Sequence, residues 1–233
     1  MYREDYIMRL IERFGQVILY LTGLQRAGQY NLALAATDEA LRNALGIGSN
    51  NLASRSEREI LALIRFADRD NAWRELASYV AAILHAEAAI YAAREQPDLA
   101  IPRALLALQL LSEAALAGDA LPDYAPPRAH LLELLAGYRL PPRTGIALFS
   151  LYEREGAYSQ AEDALFDLLA EDPTSPDLIA VGIAFYERLL DQDATTLVAG
   201  GLPRSEVLSG LAELRARPIV TDAPASAGPP GAR

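Results

Sequence analysis

Residues 148–173 run LFSLYEREGAYSQAEDALFDLLAEDP, two helix-length apolar stripes that meet at one glycine. Nine spaced positions carry the pattern: Leu148, Phe149, Tyr152, Gly156, Tyr158, Ala161, Leu165, Leu168 and Pro173. Gly156 permits the tight turn between the helices, because glycine alone takes a positive φ without steric cost. Ala161 lets the two helices approach closely, while Tyr152, Leu165 and Leu168 fill the space between them. Pro173 stops the second helix. The pattern has a period. Tyr186 stands thirty-four residues after Tyr152, and Pro176 stands thirty-four after Pro142. Gly28, Tyr30, Ala33, Ala40 and Leu41 repeat the spacing of the turn and second helix near the start. The middle, Trp73 to Leu116, forms a helical hairpin that keeps the register only if Pro97 to Pro102 is an insertion.

A thirty-four-residue helix–turn–helix period resembles the tetratricopeptide repeat. The expected fold is all-α, with antiparallel helix hairpins stacked as a tetratricopeptide-like α-solenoid. An irregular helical bundle is the alternative. Phe149 departs from the repeat's usual small residue, which alters the expected local crossing. Read whole, the chain resembles an uncharacterised family of bacterial tetratricopeptide-like proteins. These open with Met-Tyr-Arg-x-Asp-Tyr-Ile-Met-Arg-x-Ile-Glu, here Met1 to Glu12, and the likeness extends to Gly201-Leu202-Pro203-Arg204. The resemblance implies an architecture and carries over no catalytic residue.

Outward from the hairpin, periodicity marks the other elements. Ile7, Leu10, Ile11, Phe14, Val17, Ile18 and Leu21 make an apolar stripe on a first helix, and Gly28 ends it. A second helix runs from Tyr30 to Leu45, followed by a loop over Gly46–Asn51. Ser56 and Glu59 have capping-box spacing. Asp70 or Asn71 is the expected N-cap of a long helix from Trp73 to about Glu95. Pro97 ends that helix, and Pro102 is placed in the first turn of the next. Further helices are expected near 128–138, 143–155, 158–171, 176–191 and 203–215. The chain reads as one helical domain over 1–217, with halves 1–117 and 142–217 around a proline-rich connector as an alternative, and a disordered tail over 218–233.

Composition agrees with helix. The 233 residues include 43 Ala and 39 Leu, both strong helix formers. With no cysteine there is no disulfide scaffold, Cys-ligated zinc or thiol chemistry. All 21 basic residues are Arg, against 31 acidic residues and a net charge of −10. The Arg residues are scattered, so nucleic acid is not an expected partner, nor is an anionic membrane. Leu76 to Ala93 is nearly uncharged, but Glu87 in its midst is costly at bilayer depth, so a buried helix is expected. The N-terminus lacks a secretory pattern, and the expected location is cytoplasmic.

No catalytic constellation emerges. His85 and His130 each lack a second ligand at helical spacing. Asp191-Gln192-Asp193 and Asp68-Arg69-Asp70 read as helix-capping carboxylates. Gly46-x-Gly48 lacks the strand and third glycine of a dinucleotide site. No cofactor, metal or catalytic residue is expected, and the chain is not expected to be an enzyme. Tyrosine is more informative, with eleven in the chain. Tyr30, Tyr152, Tyr158 and Tyr186 have packing roles in the repeat. On the first helix Tyr2, Tyr6, Arg9, Arg13 and Tyr20 lie off the apolar stripe, and Tyr and Arg are enriched at interface hot spots. The expected function is a non-enzymatic interaction module or scaffold that holds a peptide or partner protein on its concave surface. Its acidic charge favours a basic or amphipathic segment. A self-associating homodimer is the alternative.

Overall fold

The computed structural model describes residues 2–67, 72–118 and 120–218, with the side chains of residues 2–7, 10 and 53 outside that description. The described residues form twelve α-helices and no strand. They are α1 (Tyr2–Arg26), α2 (Tyr30–Leu45), α3 (Ser49–Ala53), α4 (Glu57–Ala67), α5 (Trp73–Ala93) and α6 (Pro97–Leu116). There follow α7 (Arg128–Leu134), α8 (Pro142–Glu155), α9 (Tyr158–Glu171), α10 (Pro176–Leu190), α11 (Ala194–Ala199) and α12 (Arg204–Ala216). Two compact units divide the chain, Met1–Ala147 and Leu148–Arg233. The expected N-cap at Asp70 or Asn71, the Asp68–Asp70 pair and the tail beyond Pro218 lie outside the described residues.

The first unit is built on the α5–α6 hairpin. Alanine makes their close approach possible: Ala77, Ala81, Ala88, Ala104, Ala107 and Ala114 are all fully buried. Ile83, Leu84, Leu108 and Leu110 fill the remaining space with no exposure. Both helices are long and apolar enough to cross a membrane, yet 72% and 67% of their most apolar windows are buried inside the fold. Arg74, in the first turn of α5, reaches across to the C-terminal end of α6. Its Nε donates to the Ala114 carbonyl at 3.0 Å and its Nη2 to Ala120 at 2.7 Å, so it caps the carbonyls where α6 stops. Phe14 of α1 stacks on Tyr79 of α5 with centroids 3.8 Å apart, and Tyr124 of the connector meets both edge-on. Burial pushes the Tyr79 hydroxyl up to about 12.

Two expectations are corrected here. Pro102 is not in the first turn of its helix: α6 already begins at Pro97, and Pro102 lies inside it. The segment 97–102 is thus the opening of α6. Its cost is one missing helical bond to the Asp98 carbonyl, which belongs to an exposed residue. The loop after α2 also contains a short helix, α3. Gly46 ends α2 in the left-handed region, φ 75°, and a single helical turn follows before the capping box. That box forms as its spacing predicts: the Ser56 N–H donates to Glu59 at 2.9 Å, and the Glu59 N–H donates back to Ser56 Oγ at 3.4 Å.

In the second unit α10 packs on α12 and α9. Pro176 opens α10 as Pro142 opens α8, and Gly156 takes φ 74° between α8 and α9. Tyr152, Tyr158, Ala161 and Tyr186 are buried, while Pro173 is exposed just beyond the end of α9. Phe149 and Phe185 meet edge-on at 5.3 Å, so the aromatic ring at position 149 finds a ring to pack on. Asp193 caps α11, accepting from the Thr196 amide at 2.9 Å. Gly201 turns with φ 75° ahead of Pro203 and α12.

Tyr186 is fully buried and donates a short hydrogen bond to Glu162. Burial holds the Glu162 carboxyl above its usual range, against the pull of that bond. The folded state therefore keeps this proton better than the unfolded chain does. Its stabilisation is complete below the ordinary glutamate value of about 4.3 and is lost as pH rises through the raised value. Glu162→Gln, neutral at every pH and still an acceptor, should unfold later than the wild type at pH 7. The gap should close as pH falls towards 4.5, which thermal melts followed by circular dichroism across that range would check.

Candidate binding site

The strongest chemical feature of the first unit is a buried ionic cluster that joins α3, α5 and α6. Glu87 of α5 and Arg103 of α6 are 1% and 2% exposed, an unusual depth for either residue. Glu87 Oε2 accepts from Arg103 Nε at 2.7 Å and from Ser49 Oγ at 2.5 Å. The same guanidinium donates through Nη2 to Ser49 Oγ at 3.1 Å and through Nη1 to the Leu99 carbonyl at 3.0 Å. Its plane lies over Tyr91, 4.6 Å from the ring centroid. Arg103 is thus fixed on every side, while Glu87 Oε1 is buried with no protein donor.

Ser49 is placed by the loop that leads into α3. Asp38 of α2 accepts the Ser49 N–H at 2.8 Å and holds Arg42 at 2.8 Å with its other oxygen. These two bonds, Arg42's first, keep the Asp38 carboxyl below its ordinary range. Gly48 makes the approach possible, since a Cβ there would run into Asp38 Oδ1 and the Arg42 guanidinium. Beside the cluster lies an open cleft of about 450 Å³ lined by Asp38, Arg42, Asn50, Asn51, Glu87 and Tyr91 among others.

The Ser49 hydroxyl already gives its proton to Glu87, and at 7% exposure its oxygen is closed to a substrate. Among the described residues no three His, Asp or Glu side chains converge as metal ligands. What remains is a rigid wall of acceptors and amides with one aromatic ring.

The sequence-derived candidates lie elsewhere. Arg9, Arg13 and Tyr20 are exposed, Tyr20 at 55%, and the helical period puts them on one strip of α1. Tyr2 and Tyr6 fall on the same strip by register, and their side chains lie outside the described residues. Leu19 beside them is 73% exposed. Gly28 takes φ 68° between α1 and α2, Tyr30 lies under Arg94 at 5.5 Å, and Ala33 is fully buried. Ser49, Glu87 and Arg103 were not among the sequence candidates as a group. The one signal was the presence of a carboxylate and a guanidinium within apolar stretches of two helices.

These features define an all-helical protein of two compact units, the first carrying a buried ion pair beside a polar cleft. The chain belongs to a family of unknown function, DUF6483, whose model matches residues 1–217. No curated protein and no solved structure matches it.

Proposed function

We propose that this protein is a non-enzymatic interaction module whose first unit holds a segment of a partner protein in the cleft between α2, α3 and α5. The observation that carries the reading is an open polar cleft of about 450 Å³ lined by Asp38, Arg42, Tyr91 and the exposed Asn50 and Asn51, and backed by the buried Glu87–Arg103 pair. A segment entering the cleft meets side-chain donors and acceptors that are already open to solvent. Asn50 and Asn51 then serve its backbone, and Tyr91 gives an apolar side for it to lie on. Because Arg103 and Arg42 already balance the two carboxylates, a neutral donor is favoured at the centre. The net charge of −10 favours basic residues in the flanks of the segment.

The helix pairs are proposed to follow tetratricopeptide geometry, supported by the matching helix starts at Pro142 and Pro176 and the buried tyrosines thirty-four residues apart. The location proposed for this role is the cytoplasm.

Photo-crosslinking in the native host, from a probe at Asn51, tests the reading. One defined partner should be trapped and should be lost when Asn50→Arg fills the cleft. Loss instead with Arg9→Glu and Arg13→Glu would move the interface to α1. A crosslink only to a second copy of the chain would replace the reading with self-association.

A further inference from the structure

The chain contains two histidines, forty-five residues apart in sequence. The fold brings them together: His85 of α5 and His130 of α7 face one another with ring centroids 6.0 Å apart and planes inclined by 26°. α7 is seated on the hairpin by Leu131, fully buried, and by Leu135 just past its end, 3% exposed. That seat holds the His130 backbone against α5. Among the described residues neither imidazole is hydrogen-bonded to a neighbour, so the ring nitrogens are free to act as ligands.

We propose that His85 and His130 together bind one divalent transition-metal ion, of the class to which Zn²⁺, Ni²⁺ and Cu²⁺ belong. A metal about 2.0–2.1 Å from one nitrogen of each ring places the centroids roughly 5–6 Å apart, close to the separation seen. The two rings stack as they stand, and the exposed His130 ring can turn about χ2, a broad torsion, to aim a nitrogen at the ion. Imidazole is a borderline donor that favours these ions over Mg²⁺ and Ca²⁺. Water fills the remaining positions, because no third protein ligand converges there among the described residues. The bound ion ties α7 to α5 and stabilises the first unit by mass action. This inference does not depend on the cleft.

The test uses full-length protein without a histidine tag. Zn²⁺ is titrated by calorimetry, and the imidazole resonances are followed by NMR. One ion per chain should bind, shifting both sets of ring signals, and EDTA should reverse it. His85→Gln and His130→Gln should each weaken binding by about a hundredfold, the order of gain that a tethered second contact supplies. His130 is exposed, so its variant reports binding even if the His85 variant unfolds. Zn²⁺ held equally by both variants would assign the ion to surface carboxylates and overturn the proposal. So would displacement by equimolar Mg²⁺, or ring signals unmoved at millimolar Zn²⁺.

Discussion

Replacing Arg103 with methionine should destabilise the first unit by about 3–5 kcal/mol, the cost of leaving one member of a buried ion pair behind. The loss falls on Glu87, which is 1% exposed and would keep only the Ser49 hydroxyl as donor. Tyr91 would lose the guanidinium it supports, and the Leu99 carbonyl would lose its side-chain donor. Urea denaturation followed by tryptophan fluorescence isolates the effect, because Trp73, the one tryptophan, opens α5 in this unit. The double variant Glu87→Met/Arg103→Met is the informative partner. Replacing a whole buried pair with apolar side chains of similar volume is often neutral or stabilising, so most of the loss should return. A double variant as unstable as the single one would mean that Ser49 and the α3 loop depend on the charges themselves.

Gly210→Ala should cost the second unit about 3 kcal/mol, the upper part of the range for overpacking a filled core. Gly210 sits on α12 where that helix crosses α10, and an added Cβ would overlap the Tyr186 hydroxyl and ring. The ring has nowhere to go. It is fully buried, tilted against Phe185 at 5.2 Å, and bonded through its hydroxyl to Glu162. Either the helices separate or the bond breaks, and both expose α10. Hydrogen exchange of peptides within 176–216 should show faster exchange confined to this unit. Gly15→Ala is the matched control: its Cβ would meet nothing within 4 Å. In the middle of α1 the same change should stabilise by about 0.5–1 kcal/mol.

Much of the helical order could be read locally. The bounds of α9 and of the α1–α2 turn follow from Gly156, Gly28 and the spacing of Tyr158, Ala161 and Leu165, all set by neighbours within a few residues. Pro102 misled because a proline so close to Pro97 suggests a helix start, while the helix tolerates it one turn further in. The only local trace of the Ser49–Glu87–Arg103 cluster was a carboxylate and a guanidinium within apolar stretches. Its members are separated by 38 and 16 residues, and no periodicity links residues that meet only through the packing of three helices. The α1 strip of Arg9, Arg13 and Tyr20 was legible as an outward face, because period reports which side turns from the core. Period does not report what meets that side.

The geometry of the hairpin also orders events in time. α5 and α6 are joined by only three residues, so their pairing closes a small loop and rewards an early transition state. Ser49 joins them across gaps of 38 and 54 residues, a contact of high closure entropy that forms after the hairpin exists. Substitutions of Ala81 or Ala104 then act chiefly on the rate of folding, and Ser49→Ala acts chiefly on the rate of unfolding. The wall of the cleft is therefore expected to assemble after the hairpin and to open before it, which amide exchange of 46–53 against 77–110 would check.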